Sequence, residues 1–244
     1  MRRYVLKLRR TTIGGLVAVL ALAAVSSIAW AGPEQGRTIR FDTTKILFEL
    51  NATAQDAGIQ ALLDAGGWET ATVISPNGAT LLEVQADGAV GDIGVTELFF
   101  ESAEPSLADL PLDELLAMFP EGRYRFVGRT VEGDRLVGSA LLSHDIPTGP
   151  TVLSPTEGAI TDPGDTVISW EPVTEPSGIE ITGYQVIVEL PEPLRVFSVD
   201  LPAADTSVTV PSEFLEAGTD YKIEVIAIAD NLNQTITEGT FTTT

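Results

Sequence analysis

The C-terminal hundred residues alternate between apolar and polar positions in short runs, separated by clusters of proline, glycine and aspartate. Alternation with a period of two puts every second side chain on one face of a strand, and regularly spaced short strands are typical of an all-β sandwich. The pattern predicts six strands in this half, at residues 167–171, 181–190, 194–199, 206–210, 221–229 and 235–242.

The half from residue 38 to residue 142 alternates in the same way. Turn residues predict two hairpins, with Ser75-Pro-Asn-Gly78 between strands 70–74 and 80–84, and Glu132-Gly-Asp134 between strands 124–131 and 136–142. One helix is predicted at residues 112–118, because Pro111 suits a first helical turn and Phe119-Pro-Glu-Gly122 ends the run. This half is therefore predicted to be a second β-sandwich that carries one short helix.

A boundary between the two halves is predicted near residues 143–150. The alternation stops there, and Pro147 and Pro150 bracket a Thr-Gly step. We expect an N-terminal domain at 32–147 and a C-terminal domain at 148–244, two immunoglobulin-like sandwiches in tandem.

Three aromatic residues give the C-terminal half a recognisable order. Trp170 lies in one strand, Tyr184 opens the next alternating strand, and the corner Leu215-Glu-Ala-Gly218-Thr-Asp-Tyr221 leads into a third. This order resembles a fibronectin type III domain. The resemblance implies that the three aromatic side chains share one core and that the Tyr221 hydroxyl bonds back to the backbone a few residues upstream. It extends over about 95 residues and implies no particular chemistry.

The N-terminus has the three parts of a bacterial-style secretory signal peptide. Five Arg and Lys residues precede the apolar run 13–28, and Ala29-Trp-Ala31 follows it. We expect residues 1–31 to be removed after Ala31, which makes the protein secreted or periplasmic. A retained membrane anchor is the alternative, since residues 13–31 could just span a bilayer by length.

The predicted mature chain is strongly acidic. All 35 acids but only 9 of the 14 Lys and Arg follow residue 31, so its net charge is 9 − 35 = −26. Repulsion from phosphate disfavours nucleic acid and anionic membrane surfaces as partners. The chain has no cysteine, so an exported form must derive its stability from its cores.

Polar residues at 49–64 raise the question of a calcium loop. Asn51, Asp56 and Asp64 supply oxygens. A dedicated calcium loop has oxygen ligands at alternate positions, a glycine in the bend and an acid that closes it, and here only Asp56 and Gly58 keep this spacing. We interpret the segment as a polar turn between strands. Neighbouring His144 and Asp145 are interpreted as solvated linker residues, because no nucleophile motif accompanies them.

Aromatic residues offer one further candidate site. Trp68 follows Gly66-Gly67, a sequence that suggests a tight turn, so Trp68 is either a core residue or an exposed platform for a sugar ring. Phe99 and Phe100 are expected to point to opposite faces of one strand.

These observations favour an exported, non-catalytic binding or structural protein of the adhesion type. The expected partner is a protein or a glycan on the envelope or outside the cell, and no catalytic, cofactor-binding or metal-binding residues are assigned. After removal of the signal peptide, no membrane association is expected. A carbohydrate-binding module that uses Trp68 is the first alternative, and a hydrolase that uses two carboxylates is a distant second.

Overall fold

The computed structural model describes residues 36–244, which form strands and two short helices. The predicted signal peptide lies outside the described residues. Within the described part, no helix is both long and apolar enough to cross a membrane. The N-terminal half contains β1 (Thr38–Arg40), β2 (Thr43–Asn51), β3 (Asp56–Ile74), β4 (Thr80–Gln85), α1 (Gly88–Ile93), β5 (Val95–Glu101), α2 (Leu112–Met118), β6 (Gly122–Thr130) and β7 (Arg135–Leu142). The C-terminal half contains β8 (Val152–Ser154), β9 (Ala159–Thr161), β10 (Val167–Trp170), β11 (Ile181–Pro191), β12 (Leu194–Pro202), β13 (Ser207–Thr209), β14 (Asp220–Ala229) and β15 (Gln234–Thr243).

One long strand, β3, organises the N-terminal half. Its first part, from Asp56 to Asp64, pairs with β2 and β5, and its last part, from Thr70 to Ile74, pairs with β4 and β6. The register shifts on both sides of Trp68, next to Gly66 and Gly67. A single strand therefore belongs to both layers of this sandwich.

The core of the N-terminal half lies between these two layers. Apolar side chains from β2 and the first part of β3 meet those from the last part of β3, β6 and β7. The largest fully buried members are Phe48, Trp68, Tyr124, Phe126, Ile46, Ile59, Leu63 and Leu136.

Of the two helices, α2 has the bounds predicted from the sequence, and α1 was not predicted. In α2, Leu115 is buried against the core, which gives the apolar position that the pattern needs. In α1 no residue is buried, and Ile93 is 77% exposed. A helix that buries nothing leaves no apolar periodicity in the sequence.

The C-terminal half is an all-β sandwich with a fibronectin type III-like fold. Strands β13, β10 and β8 form one layer, and β12, β11, β14 and β15 form the other. Trp170, Tyr184 and Tyr221 lie in a single core, as the sequence predicted. The Tyr221 hydroxyl accepts the backbone N–H of Glu216 at 2.7 Å, which confirms the tyrosine corner. The six predicted strands are present, and β8 and β9 are short additions.

The two halves share one sheet. Strand β15 pairs in parallel with β2, with Gln234 opposite Glu49 and Ile236 opposite Asn51. The main path of this sheet runs β1-β7-β6-β3-β2-β15-β14-β11-β12. Both halves therefore belong to one hydrogen-bonded surface, and residues 36–244 form one compact unit.

Candidate functional site

Three glutamates converge on the outer surface of β2 and β3. Glu49 lies opposite Gly58 in the strand pair, and Glu101 ends β5 opposite Gln60. Glu104 follows β5 and crosses above Gly58. A Cβ atom at Gly58 would lie 2.9 Å from Oγ of Ser102 and 3.0 Å from Cγ of Glu104, so a larger residue at this position would push both side chains aside.

The segment that carries Glu104 is tied to β3 by Ser102. The Ser102 hydroxyl accepts the N–H of Ile59 at 3.0 Å, and the Ser102 N–H donates to the Ile59 carbonyl at 2.9 Å. These bonds continue the strand pairing for one residue beyond β5. The Glu104 side chain is thereby brought to the other two carboxylates.

The three carboxylates, which we call the glutamate cluster, contact one another closely. One oxygen from each of Glu49, Glu101 and Glu104 lies within 4.8 Å of the others. Glu49 is buried, with 8% of its surface exposed, whereas Glu101 and Glu104 are exposed. Side-chain amides offset part of the repulsion. Gln234 donates to Glu49, and Gln60 donates to Glu101 at 2.8 Å.

The cluster raises the pKa values of two of its members. Burial raises the pKa of Glu49, against the opposing effect of the Gln234 hydrogen bond. Partial desolvation of the carboxyl group is the largest cause that raises the pKa of Glu104, and together with the negative charges of Glu49, Glu101 and Asp56 it brings that pKa to about 7. Near neutral pH, Glu104 is therefore partly protonated and can donate a hydrogen bond to Glu49.

The chemistry available to the glutamate cluster is limited by this close contact. Carboxylate oxygens suit a hard cation, but Ca²⁺ takes six to eight oxygens, so one oxygen from each of these three carboxylates would have to be supplemented by bidentate binding, backbone carbonyls or water. A glycosidase needs two carboxyl groups that face each other about 5–10 Å apart, with room for a sugar between them. Glu49 and Glu104 instead lie within hydrogen-bonding reach of each other.

The structure separates Asn51, Asp56 and Asp64, the residues that were weighed as calcium ligands and interpreted as part of a turn. Asn51 closes a turn, since its Oδ1 accepts the N–H groups of Thr53 and Ala54. Asp56 and Asp64 both lie in β3, at opposite ends of its pairing with β2. The interpretation of residues 49–64 as a polar turn was correct only for residues 52–55, because the remainder of the segment belongs to two long paired strands.

Of the three oxygen-bearing candidates Asn51, Asp56 and Asp64, Asp56 is the one whose charge acts on the glutamate cluster. Its Oδ1 is buried without a hydrogen-bond partner, and its charge contributes to the raised pKa of Glu104. The sequence carried no signal for this grouping. Glu49, Asp56, Glu101 and Glu104 come from three strands and a loop, and strand pairing alone brings them together.

Trp68 is a core residue, which rules out the sugar platform. Its side chain is 0% exposed, and its indole Nε1 donates to the Thr96 carbonyl at 3.3 Å. The Gly66-Gly67 step is not a turn at an edge. It lies inside β3, where the strand passes from one layer to the other, and the indole fills the space between the layers.

The adjacent phenylalanines behave as expected. Phe100 packs against the N-terminal core, whereas Phe99 is 54% exposed.

His144 is packed rather than solvated. Its Nε2 donates to the Phe119 carbonyl at 2.8 Å, and its ring meets the Phe48 ring edge-on at a centroid distance of 5.8 Å. Its backbone N–H donates to Glu121 at 2.7 Å. The sequence interpretation of a solvated linker residue was therefore wrong. His144 instead stabilises the end of the N-terminal half.

The connection between the halves is held by one buried side chain, Asn233. Its Oδ1 accepts the N–H of Phe48 at 2.9 Å, and its Nδ2 donates to the carbonyls of Ser143 at 2.9 Å and Asp145 at 2.8 Å. Asn233 is 0% exposed. One residue of the C-terminal half thereby satisfies three backbone groups of the N-terminal half and the connection.

Close packing reinforces this junction. The Ala52 N–H donates to the Ile236 carbonyl at 2.8 Å. A Cβ atom at Gly149 would lie 2.8 Å from Cβ of Ala52 and 2.6 Å from Oγ1 of Thr237, so the connection fits between the halves only without a side chain there. We use the term junction for Asn233 together with these contacts.

Comparisons with known proteins return structures and no sequence relatives. No protein-family model matches this sequence, and no curated protein matches it. The solved structures that align with it include a segment of two fibronectin type III domains from chicken tenascin, at 14% identity over 82% of this chain and 98% of that chain, with a TM-score of 0.30.

Two further structures are adhesins. One is a tetra-tandem repeat from the extending region of a large adhesion protein, at 17% identity over 83% of this chain, with a TM-score of 0.31, and this chain spans 50% of its length. The other is a 1.5-MDa bacterial ice-binding adhesin, at 15% identity over 85% of this chain and 65% of that chain, with a TM-score of 0.29. The tyrosine corner and the core of Trp170, Tyr184 and Tyr221 give the C-terminal half its fibronectin type III-like fold.

Proposed function

We propose that this protein is an exported, non-catalytic binding or structural protein whose two sandwiches act as one rigid module. The junction carries the proposal. Asn233 bonds to Phe48, Ser143 and Asp145, and β15 pairs with β2, so the halves are joined by hydrogen bonds as well as by the connecting chain. A fixed arrangement presents loops and faces of both halves in constant geometry, which lowers the entropic cost of binding.

The titratable groups with shifted pKa values support a structural role. Glu49 and Glu104 contact each other. Lys222 and Glu238 form an ion pair of 2.7 Å, and Tyr124 is buried in the N-terminal core, where burial raises its pKa to about 12. Each of these pKa shifts is explained by a neighbouring charged or polar group or by burial in the core, whereas the titratable groups of an active site face a substrate.

The envelope or the extracellular space is the proposed location, and a protein or glycan there is the proposed partner. The basic and apolar regions of residues 1–31 and the small residues at the exit support export. The acidic surface of the mature chain keeps it away from nucleic acid and anionic lipid.

The first test determines the cellular location of the protein and the first residue of its mature chain. Expression with a C-terminal tag, followed by fractionation and N-terminal sequencing, should place the protein outside the cytoplasm with Gly32 as its first residue. Retention of the tagged chain in the cytoplasm would contradict the proposal.

The second test is rigidity. NMR relaxation of the exported chain should give the same rotational correlation time for amides of both halves, because they tumble together. Asn233→Ala should separate the two values, and Thr182→Ala, an exposed change in the C-terminal half, should not. Different correlation times in the unchanged protein would refute the rigid module.

A further inference from the structure

The outer face of β6 and β7 collects four of the nine basic residues that follow residue 31. They alternate with buried residues along the strands, so their side chains point away from the core. Three of them, Arg125, Arg129 and Arg135, line a groove of about 420 Å³ together with residues of β3. We call this surface the arginine face, and its basic residues are Arg123, Arg125, Arg129 and Arg135.

Two of these arginines oppose each other directly. Arg129 on β6 pairs with Arg135 on β7 in the strand register. Like charges directly opposite on a sheet destabilise it. Arg129 has a carboxylate of Glu69 at 4.0 Å, but within residues 36–244 neither Arg125 nor Arg135 has a carboxylate oxygen within 4.0 Å. The arginine face would therefore gain free energy from negative charge supplied by another molecule.

Exposed apolar groups add to this surface. Leu141 lies opposite Arg123 and is 60% exposed, and Val127 and Val137 lie between the charged pairs. Arginine mixed with apolar side chains is a composition enriched in protein interfaces. The face therefore fits a partner that offers carboxylates and apolar side chains together.

The other end of the sheet has that composition. On the outer face of β11 and β12, Asp200 and Glu189 accompany Leu194, which is 67% exposed, and Val196, which is 52% exposed. We call this surface the acidic face. The C-terminal half as a whole carries 2 − 16 = −14.

The basic residues of the C-terminal half are already occupied. Arg195 pairs with Glu216 at 2.8 Å, and Lys222 pairs with Glu224 at 3.0 Å and Glu238 at 2.7 Å. The remaining acids of this half therefore depend on solvent or on another molecule for their counter-charge.

The arginine face and the acidic face lie near opposite ends of the same sheet. Strands β7 and β6 are second and third from one end of the sheet's main path, and β11 and β12 close the other end. The rigid junction prevents them from approaching each other within a chain. Their charges can be matched only between two molecules.

We propose that the arginine face of one copy docks on the acidic face of a second copy, head to tail. This inference deepens the proposed structural role, on which it rests, by naming a second copy of this chain as a partner. A head-to-tail contact leaves one arginine face and one acidic face free in every dimer, so the assembly grows into a linear chain unless it closes into a ring.

Salt concentration affects this contact in two opposite ways. The large negative net charge of each copy repels other copies at very low salt, where the Debye length is about 30 Å at 0.01 M. Near 0.15 M the Debye length is about 8 Å, so the overall repulsion is screened while contacting charges still attract. At about 1 M the contact charges are screened as well. Association should therefore be strongest at intermediate salt.

The test uses two charge-reversed proteins and their mixture. Protein X carries Arg125→Glu and Arg135→Glu, and protein Y carries Glu189→Arg and Asp200→Arg. Sedimentation velocity of the exported chain should show an average mass that rises at least twofold with concentration near 0.15 M salt. X alone and Y alone should remain monomeric, since each opposes like charges.

Mixing X with Y should restore association, because each reversed face meets its complement. The restored contact also shows that both variants are folded, which circular dichroism checks separately. Lys45→Glu reverses a charge at an exposed position of β2, away from the groove, and should associate like the unchanged protein.

Three results would overturn the proposal. The unchanged protein could stay monomeric at every concentration and salt level, X could associate normally, or the mixture could remain monomeric. Heparin serves as a probe for a polyanion, and a monomeric protein that binds heparin through Arg125 and Arg135 would also overturn it. Equal correlation times for the two halves of a monomer would leave the proposed rigid module intact while this inference fails.

Discussion

The side-chain oxygen of Asn233 accepts the backbone N–H of Phe48 at 2.9 Å, across 185 residues of sequence. Phe48 is itself fully buried in the N-terminal core. The same asparagine donates to two carbonyls of the connection between the halves. One polar side chain of the C-terminal half thus fixes a core strand of the N-terminal half and the segment that leads out of it.

Asn233→Ala should lower the free energy of unfolding by about 3 kcal/mol, because it removes the hydrogen-bond partner of the buried Phe48 N–H and of the Ser143 carbonyl, whereas the Asp145 carbonyl still accepts from Asn231. Urea titration followed by fluorescence measures the change. We also expect the single transition of the unchanged protein to split into two, since the halves have separate cores.

The control for this change is Thr182→Ala, which removes an exposed hydroxyl that donates to the Ile228 carbonyl at 3.2 Å; because water replaces this bond at the surface, stability should change by at most about 0.5 kcal/mol. An Asn233→Ala protein as stable as the control would show that the junction contributes nothing to folding.

Tyr221→Phe and Tyr124→Phe should differ although both remove one buried hydroxyl. The Tyr221 hydroxyl accepts the Glu216 N–H, so its loss should cost about 1 kcal/mol. The Tyr124 hydroxyl is buried without a partner, so its loss should be neutral or stabilising. Thermal unfolding of the two variants side by side measures both effects. Equal destabilisation would contradict the hydrogen-bond assignments.

Stability should fall as the pH rises from about 4.5 toward 7, because the pKa of Glu104 is about 7 in the folded protein and ordinarily 4.5. Below 4.5 the carboxyl group is protonated in both states. Above that pH the unfolded chain releases its proton first, which favours unfolding, and the loss of stability is complete once the pH exceeds the folded pKa.

Glu104→Gln removes this titration and tests the assignment. We expect it to raise the free energy of unfolding by about 1 kcal/mol at pH 8, a reduced value because Glu104 is partly screened by solvent, and to have no effect near pH 4. Glu97→Gln neutralises another exposed carboxylate of β5, outside the glutamate cluster, and serves as the control. Parallel stability curves for Glu104→Gln and the unchanged protein would reject the raised pKa.

Trp68→Ala should lower the free energy of unfolding by about 3–5 kcal/mol, because the indole is fully buried between the two layers. Phe99→Ala, at a position that is 54% exposed, should change it by about 0.5 kcal/mol or less. Chemical denaturation compares the two. A stable Trp68→Ala protein that loses binding on a glycan array would restore the sugar-platform hypothesis.

Residues close together in sequence explain the successful predictions. The tyrosine corner joins Glu216 to Tyr221 within five residues, and the turns around Gly78 and Gly133 follow directly from their residue types. The alternation extends over most of β11 and over β14 as far as Val225, so the buried faces of both strands could be read from the pattern.

Trp68 shows why local signals can fail. Two glycines suggested a turn, but β3 continues through them: it pairs with β5 before and after them, its pairing with β2 ends before them, and its pairing with β6 begins after them, because the strand changes layers there. Glycine allows a sharp turn and also allows a strand to bend, and the sequence alone does not distinguish the two.

The amino-acid pattern was sufficient for the six predicted strands of the C-terminal half, the two hairpins of the N-terminal half and the tyrosine corner, because side-chain alternation and turn chemistry act over a few neighbouring residues. The folded chain was needed for the glutamate cluster, the junction at Asn233 and the separation of the arginine face from the acidic face. These features depend on which strands pair across 40 to nearly 190 residues. Hydrogen bonds between distant strands join positions whose own neighbours in sequence give no sign of the contact.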